Sequence, residues 1–532
     1  MSSKWPEEIE FKEIILKVED NICRKCKSEL IIRKDRIHCI YSLEGPIKLI
    51  CKLSCCSNIQ CSERNTLISP KSEISITMPR WRIGWDLFLW MGFRRFKRHW
   101  SVPQIIDELL DNYQISPSKS TVIKYLMKYQ LMVAARHQDI VRLQAEYKDC
   151  SDVILTIDGL QPEKGHETLY VVREIRKQRV WFAQPLLSST NSEILKLIQR
   201  AKELVKKLNK PVSAWVSDKQ DAFVTSIAAE FQNVPHRYCD NHFLRDLAKP
   251  VLEKDSHAKV QMRKKVRGLR SIEKEALAEL DKSSQKYEKL NPEQKKFAVD
   301  IVLDYCATVR GILNDNHGGP LNPPGLRMAN ALKEVSQSIE RNLKRGKTPI
   351  SAKLKRLNGC IKRGLSIYQQ DKAKIEEYVG KIDRIFKTLD SKSGSSSIRL
   401  NRFKRLKTQF AKTDDSIYIH MRKLMDSFEI GLFVGSDDID IPRDNLGLER
   451  WFKEPKGHER RIHGHQHAGI RIVHEGATLI PVLDAHLFQK EPFSYQDLLP
   501  YISVKPPKSQ AESIERNRIM RKASSKKKDQ LC

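Results

Sequence analysis

The sequence predicts a multidomain α/β protein. A mixed five-stranded sheet with helices is interrupted by a long α-helical insertion and preceded by a cysteine-rich knot and an all-α helix pair. Seven of the 12 cysteines lie between Cys23 and Cys61, strand patterns follow Val153, and only helical patterns occur from Leu252 to Met425. At 532 residues the chain is too long for one ordinary core. The predicted domains span residues 1–77, 78–149, 150–251, 252–425, 426–490 and 491–532.

The charge of the chain predicts a polyanionic partner. The sequence contains 96 Lys and Arg residues against 66 Asp and Glu residues, which gives a formal net charge of +30. A charge of this size is typical of proteins that bind nucleic acid, and a basic protein without such a partner is the alternative. Double-stranded DNA is therefore the expected ligand.

The sequence predicts no membrane segment. Mean hydropathy is -0.51, and no run approaches the roughly 20 apolar residues that a bilayer-spanning helix requires. The N-terminal stretch MSSKWPEEIEFKE lacks the apolar centre of a signal peptide. We therefore expect a reducing compartment in which DNA is accessible.

The N-terminal cysteines predict a structural zinc site. Cys23-x2-Cys26 forms one knuckle and Cys56-x4-Cys61 forms the best second one, and four thiolates suffice for a closed tetrahedral site. The segments between them, LIIRKDRIHCI and GPIKLICKL, alternate like the strands of a zinc ribbon. Cys55 is an alternative to Cys56, and free cysteines packed as small hydrophobes are the alternative to a metal site. Two further cysteines remain unassigned, Cys39 and Cys51.

A helix-turn-helix is predicted after an aromatic and basic stretch that starts at Met78. Ser101 can cap the first helix, which has Pro103 in its first turn, and Ser116 can cap the second. Plain helical packing is the alternative to DNA binding. The predicted inward positions are Ile105, Ile106, Leu109, Leu110, Val122, Ile123, Leu126 and Met127. The residues that the second helix would present to a major groove are Ser118, Lys119, Thr121 and Lys124.

A short apolar run ending in a carboxylate begins the central sheet. VILTID, from Val153 to Asp158, is typical of a buried strand that ends at the rim of a sheet, although Asp-Gly is also common turn chemistry. Two more strand patterns, an amphipathic helix and a fourth strand ending at Asp218 follow. With the elements after it, the predicted order is β-β-β-α-β-α-β-α. This is the layout of an RNase H-like fold, in which the first and fourth strands are neighbours and their carboxylates converge.

The sheet domain is predicted to resume beyond the helical insertion. There Asn445 can cap a helix that carries Glu449. From Lys505 the chain ends in a basic tail whose composition predicts disorder in isolation. The insertion itself is predicted to be mostly exposed, basic surface. The basic residues that follow the helix of Glu449 are Lys453, Arg460 and Arg461.

Several features together resemble the DDE transposases of insertion sequences. Besides the two strand-end carboxylates and the long insertion, these are Cys239-x2-His242 and Asp444-Asn445-x3-Glu449. The resemblance covers roughly residues 150–480 and is closest to Mutator-like and related bacterial types. Because only two ligands are visible, we expect Cys239 and His242 to brace the fifth strand against its helix rather than to bind metal.

The resemblance implies a metal-dependent active site. Asp158, Asp218 and Glu449 would be the catalytic carboxylates and would bind two Mg²⁺ ions, with Mn²⁺ as a substitute. Asn445 and the basic cluster after it would lie along the active-site helix near DNA. The chain departs from the family pattern at Asp444, where Thr or Ser is expected, which leaves the role of that turn open. Other acids near the candidates in sequence are Asp221, Asp240, Asp437, Asp438, Asp440 and Glu454.

The reaction that the resemblance implies is DNA transposition. Two divalent ions about 4 Å apart stabilise the charge that develops on the entering and leaving oxygens of a phosphodiester. Water would free a 3′-hydroxyl at the element's end, and that hydroxyl would attack target DNA. The resemblance also implies a homodimer or higher oligomer on DNA, in the nucleoid-containing cytoplasm of a prokaryote. The alternatives are an RNase H-like nuclease without strand transfer and a domesticated DNA-binding protein, which would lack at least one carboxylate.

Overall fold

The structure is a computed structural model that describes residues 10–162, 166–281, 291–346, 348–438, 440–464 and 469–529. The chain divides into two compact units. The first contains residues 1–234 and 445–532, and the second contains residues 235–444. The first unit is therefore built from two separate parts of the sequence.

A small three-stranded sheet lies at the start of the first unit. Its strands are β1 (Lys12–Leu16), β2 (Leu30–Ser42) and β3 (Gly45–Cys56). β3 lies in the middle, parallel to β1 and antiparallel to β2. Gly45 begins β3 with a φ of 113°, a left-handed conformation that glycine adopts without strain in the hairpin turn. The two strands predicted between the cysteine pairs are confirmed.

Five helices follow this sheet. They are α1 (Glu73–Ile76), α2 (Trp85–Phe96), α3 (Val102–Tyr113), α4 (Lys119–His137) and α5 (Ile140–Glu146). The predicted cap of α3 is confirmed, because the Ser101 hydroxyl accepts a hydrogen bond from the Gln104 backbone N–H at 3.3 Å. The predicted cap of α4 is wrong, since Ser118 rather than Ser116 precedes the helix. Buried Ile115 and Pro117 keep the connecting segment extended up to Ser118.

The buried side of this helix pair differs in part from the prediction. Leu110, Ile123 and Met127 were expected inside, but their exposed fractions are 51%, 38% and 51%. The buried stripe of α4 instead continues from Leu126 to Tyr129, at helical spacing. Ile123 and Met127 each follow a buried residue in sequence, but they lie beside the buried stripe and not on it.

The central part of the chain contains five strands, which form one sheet, and two helices. In chain order these are β4 (Val153–Leu160), β5 (Thr168–Glu174), β6 (Arg179–Leu186), α6 (Asn191–Leu208), β7 (Val212–Ser217), α7 (Asp221–Glu230) and β8 (His236–Tyr238). The strand order is β6-β5-β4-β7-β8, with β4 antiparallel to β5 and parallel to β7. The sheet is therefore mixed, and the first and fourth of its strands are neighbours, as predicted.

The second unit contains a long helical region. Its helices are α8 (Asp240–Lys265), α9 (Leu269–Asp281), α10 (Pro292–Asn314), α11 (Pro324–Lys344), α12 (Ser351–Leu389), α13 (Ser396–Phe410) and α14 (Ser416–Leu432). Apolar residues such as Leu332, Leu357 and Ile361 are fully buried. The helical prediction is confirmed, whereas the prediction of mostly exposed surface is wrong, because one face of each long helix packs into a core of this unit.

The C-terminal part of the first unit is also helical. It contains α15 (Leu446–Trp451), α16 (Lys453–His463), α17 (Arg471–His474), α18 (Gly476–Leu487), α19 (Tyr495–Leu498) and α20 (Lys508–Asp529). None of the helices in the described part of the chain is long and apolar enough to cross a membrane.

Within the full chain, the basic tail forms the helix α20 from Lys508 to Asp529, and disorder of the isolated tail stays a prediction. Gln510 and Ser513 of α20 are 5% and 0% exposed. The side chain of Thr478 on α18 donates a hydrogen bond to Gln510 Oε1 at 2.8 Å, and Ser513 donates to Glu167 Oε1 at 3.1 Å. Polar contacts therefore dock the start of this helix, and a count of apolar residues misses them.

Each face of the central sheet has its own core. On one face, Leu155, Ile157 and Trp215 pack with apolar residues of α6 and α7. On the opposite face, Leu169 and Val171 pack with apolar residues of α2, α4, α15 and α18. Because side chains alternate along a strand, Asp158 points toward the second of these faces.

Candidate functional site

Two of the predicted carboxylates lie at the ends of neighbouring parallel strands. Ile157 of β4 is paired with Ser217 of β7, so Asp158 and Asp218 are the next residues on each strand. Neighbouring strands lie about 4.8 Å apart, and paired positions of parallel strands share a face. Burial raises the pKa of Tyr170, and the negative charges of Asp218 and Asp158 raise it further. Both carboxylates are therefore close enough to the phenol of Tyr170 to influence its pKa.

Asp158 is held by two hydrogen bonds. The backbone N–H of Gly159 donates to Asp158 Oδ1 at 2.7 Å, and Asn445 Nδ2 donates to Asp158 Oδ2 at 3.2 Å. Asn445 is 2% exposed and lies immediately before α15, the helix that carries Glu449. The contact therefore connects the first strand of the sheet to the helix of the third predicted carboxylate.

The prediction that the side chain of Asn445 caps α15 is wrong. Asn445 occupies the N-cap position, but its side chain makes no capping hydrogen bond. Its amide is directed to Asp158 instead, and a hydrogen bond to an ionised acceptor is stronger than one to a neutral group. Asn445 Oδ1 is buried without a hydrogen-bond partner in the described part of the chain. The acceptor capacity of this oxygen is therefore unused among the described residues.

Arg173 holds α15 in place, although it was not among the predicted site residues. This β5 residue is 5% exposed, and its Nη1 donates to the carbonyl of Gly447 at 3.0 Å. Its register partner is Thr156, two residues before Asp158, so both side chains lie on the same face. Burial lowers the pKa of Arg173. In the sequence, the signal for this role was an arginine inside the apolar run YVVRE.

The predicted basic residues lie on a separate helix. Lys453, Arg460 and Arg461 are exposed on α16, whereas α15 ends at Trp451. The resemblance implied one continuous active-site helix, and this part of the prediction is wrong. Pro455 has no N–H to donate to the carbonyl four residues earlier, so the first helix cannot continue through it.

Some neighbouring acids have partners of their own within the second unit. Asp437 accepts hydrogen bonds from the backbone N–H and the hydroxyl of Ser396, at 2.7 and 2.6 Å. Asp240 is 2% exposed and pairs with Arg443 at 3.2 Å, and burial raises its pKa to about 6. Cys239, which is fully buried, precedes α8, and His242 lies in the first turn of that helix. Their bracing role stays a prediction.

The four predicted cysteines form a compact cluster. The sulfur atoms of Cys23, Cys26, Cys56 and Cys61 all lie within 4.8 Å of one another. Cys26 Sγ lies 3.3 Å from Cys56 Sγ, and Cys23 Sγ lies 3.9 Å from Cys61 Sγ. Hydrogen bonding from Ser28 lowers the pKa of Cys26, whereas burial raises the pKa of Cys56. The set fits a closed tetrahedral zinc site.

The structure selects Cys56 over Cys55 for this cluster. Successive residues of a strand point to opposite faces, so only one of the two can turn toward the other cysteines. Cys51 instead belongs to the apolar core of the small sheet. Cys39 is half-buried on β2, and burial raises its pKa.

Two of the four residues predicted to read bases, Ser118 and Thr121, contact each other at the start of α4. The Ser118 hydroxyl accepts from the backbone N–H of Thr121 at 3.3 Å and lies 2.8 Å from its hydroxyl. Lys119 and Lys124 are exposed and extend from the first two turns. The exposed surface of α4 is therefore both cationic and apolar, since Ile123 and Met127 are exposed beside these lysines.

Neither a scan against models of protein families nor a search of curated proteins finds a match for this chain. The function proposed for the protein therefore depends on the residues and on the geometry described above.

Proposed function

We propose that this protein is a DDE transposase, which binds the ends of its own mobile element and catalyses metal-dependent DNA cleavage and strand transfer. One observation carries the proposal. Asp158 and Asp218 follow paired residues of adjacent parallel strands, and Asn445 joins Asp158 to the helix of Glu449. These contacts support the assignment of Asp158, Asp218 and Glu449 to one site.

The strand order supports an RNase H-like fold for the central sheet. The order β6-β5-β4-β7-β8 places the first strand between the second and the fourth, with the second antiparallel and the fourth parallel to it. This neighbourhood supports a shared site for the carboxylates that follow the first and fourth strands. The order of elements in the sequence predicted the same arrangement of strands.

The donor set fits magnesium. Three carboxylates and the unused Oδ1 of Asn445 are oxygen ligands, which hard divalent cations prefer. Asp158, Asp218 and Glu449 would hold two Mg²⁺ ions, which stabilise charge on the entering and leaving oxygens. The chain's own residues orient these ligands, because Asn445 and Gly159 fix the carboxylate of Asp158 and Arg173 fixes the helix of Glu449.

The cations of the chain supply the DNA-binding surface in this proposal. A net charge of +30 favours binding to phosphates over the whole molecule. Lys119 and Lys124 on α4 are placed to contact DNA at the element's ends. The exposed basic residues of α16, which follow the helix of Glu449, are placed to hold the cleaved strand.

A strand-transfer assay tests the proposal. The substrate is a duplex made from the DNA that flanks the reading frame, including any inverted repeat found there, with a supercoiled plasmid as target and Mg²⁺ in the buffer. A transposase joins the 3′ end of the duplex to the plasmid. Nicking of the duplex without joining would identify an RNase H-like nuclease, and binding without either reaction would identify a domesticated DNA-binding protein.

Substituting Asn445 with Ala is expected to lower the cleavage rate by about tenfold and to raise the Mg²⁺ concentration needed for half-maximal rate. The substitution removes the hydrogen bond that orients Asp158 without removing a carboxylate. A cleavage time course at several Mg²⁺ concentrations measures both effects. Asn401→Ala, at an exposed position of α13, is the matched control. An unchanged Mg²⁺ dependence in the Asn445 variant would contradict the assigned role.

The variant that carries Lys119→Ala and Lys124→Ala is expected to narrow the affinity gap between end-bearing and random duplexes. Removing one base-reading interaction should weaken binding to the specific duplex by roughly 1–3 kcal/mol. The matched control replaces Lys206 and Lys207, which are exposed at the end of α6, and should weaken both duplexes alike. Titrations of both duplexes at several salt concentrations separate the two effects. If the affinity difference between the end-bearing and random duplexes were the same in both double variants, α4 would not read the DNA sequence.

A chain that ends at Met520 is expected to bind every duplex more weakly and with a smaller salt dependence. It lacks five basic residues of the tail, Arg521, Lys522, Lys526, Lys527 and Lys528. It keeps Gln510 and Ser513, so the docked part of α20 is preserved. Each phosphate that is no longer neutralised should remove about one released counterion from the slope of affinity against salt. A selective loss of preference for the element's ends would show instead that the tail reads sequence.

A further inference from the structure

We propose that His166, Glu167 and His474 form a second metal site, which takes a divalent transition-metal ion with zinc as the best fit. One ligand atom from each residue lies within 4.8 Å of the other two. Glu167 is 1% exposed and His474 is 3% exposed. None of these residues belongs to the carboxylate site or to the cysteine cluster, so the site is independent of the proposed function.

Packing brings these residues together from distant parts of the sequence. His166 and Glu167 directly precede β5, and His474 is the last residue of α17. Their rings and carboxylate meet where α17 packs against the start of β5. The rings of His166 and His474 have centroids 6.3 Å apart.

The separation of Glu167 and His474 suits a shared ion better than a direct contact. Glu167 Oε2 lies 4.0 Å from His474 Nε2. A hydrogen bond between nitrogen and oxygen requires about 2.7–3.2 Å. Zinc lies about 2.0–2.2 Å from imidazole nitrogen or carboxylate oxygen, so one ion can reach both atoms across the 4.0 Å gap.

The carboxylate of Glu167 is oriented through one oxygen and leaves the other for a ligand. Glu167 Oε1 accepts hydrogen bonds from Ser513 Oγ at 3.1 Å and from Arg516 Nε at 2.8 Å. Glu167 Oε2 is buried and has no hydrogen-bond partner in the described part of the chain. Carboxylates that bind metals are typically held in this way by a second set of hydrogen bonds. Buried polar oxygens without a partner are rare, which indicates a missing ligand at Oε2.

The types of the three side chains indicate the kind of metal. Two imidazoles and one carboxylate favour zinc or a related transition metal over Mg²⁺ or Ca²⁺, which prefer oxygen ligands alone.

A bound ion would fasten three segments of the first unit. His166 and Glu167 belong to the connection between β4 and β5, His474 belongs to α17, and Ser513 and Arg516 reach Glu167 from α20. The metal would thus hold the C-terminal helix on the edge of the central sheet. Three protein ligands leave a fourth position for water or a further donor.

Titration of the full metal-free chain with Co²⁺ tests the proposal, in a large excess of Mg²⁺ that occupies the carboxylate site of the proposed function. Co²⁺ bound by thiolates absorbs strongly in the near ultraviolet, whereas Co²⁺ bound by imidazole and carboxylate shows only weak visible bands, so the two sites are distinguishable. We expect two ions per chain, of which one gives the thiolate band. Glu167→Gln and His474→Gln should each lose the second ion and keep the thiolate band.

Two further variants complete the design. His166→Gln removes a half-buried ligand and tests the site with less disturbance of the core. His257→Gln, which changes an exposed histidine of α8, is the matched control and should bind two ions. Circular dichroism verifies that each variant is folded. The proposal is overturned if the unsubstituted chain binds only the thiolate-bound ion, or if all three ligand variants still bind two.

Discussion

Replacing Asp158 with Asn is expected to stop cleavage of an end-bearing duplex in Mg²⁺, while the protein still binds that duplex. Asn has the size of Asp but lacks the negative charge that attracts a divalent cation. Loss of one preorganised electrostatic group lowers rates by roughly 10²–10³, and loss of a metal-binding carboxylate should lower the rate at least as much. Asp218→Asn and Glu449→Gln should have the same effect for the same reason.

The matched control for the carboxylate variants is Asp221→Asn. Asp221 lies three residues after Asp218, but its side chain is 90% exposed at the start of α7. This variant should cleave at the normal rate. Gel electrophoresis of labelled duplex measures cleavage, and a mobility-shift titration measures binding. If Glu449→Gln cleaved normally, the third carboxylate would have to be Glu454 or Asp444.

Replacing Cys23 with Ser is expected to release zinc from the cysteine cluster and to unfold the small N-terminal sheet. Structural zinc contributes about 10–16 kcal/mol of apparent binding free energy in small domains. The core of this sheet has few buried apolar residues, with Ile40, Leu49 and Cys51 at its centre. Without the metal, this core is too small to offset the entropy of ordering the strands.

Metal analysis and limited proteolysis of the full chain measure this effect. The Cys23→Ser protein should lose one zinc and become sensitive to protease within residues 10–77. Cys39→Ser is the matched control, because Cys39 lies on β2 outside the cluster. It should keep its zinc and its resistance. A Cys23→Ser protein that lost zinc yet kept the sheet intact would show that the metal is not structural.

Local patterns predicted much of the fold. VILTID and VSAWVSD each place apolar residues before a carboxylate, and this signal lies within one strand. The pair of knuckles likewise indicated Cys23, Cys26 and Cys61 from spacing, whereas the choice between Cys55 and Cys56 needed the structure. Signals of this kind depend on the period of a strand or on the reach of a turn, which a sequence shows directly.

Contacts between distant segments were not predictable in the same way. The partner of Asn445 was expected to be its own helix, but packing of α15 on β4 places Asp158 within reach of its amide. The cluster of Glu167 and His474 has no spacing signature, since about 300 residues separate its two halves. The buried face of α4 was misjudged at Ile123 for a related reason, because the elements that pack against a helix decide which stripe is buried.

The division of the first unit into two separate parts of the sequence affects the time at which its site can form. Asp158 and Asp218 leave the ribosome early, whereas Asn445 and Glu449 follow only after the whole of residues 235–444 has been synthesised. At a synthesis rate of about 5–20 residues per second, this interval lasts roughly 10–50 s. During this interval, the nascent chain contains Asp158 and Asp218 but lacks helix α15, which carries Glu449. A polypeptide that is released prematurely within the second unit is therefore incapable of assembling the site. Under the proposed function, only chains whose translation is nearly complete could cut DNA.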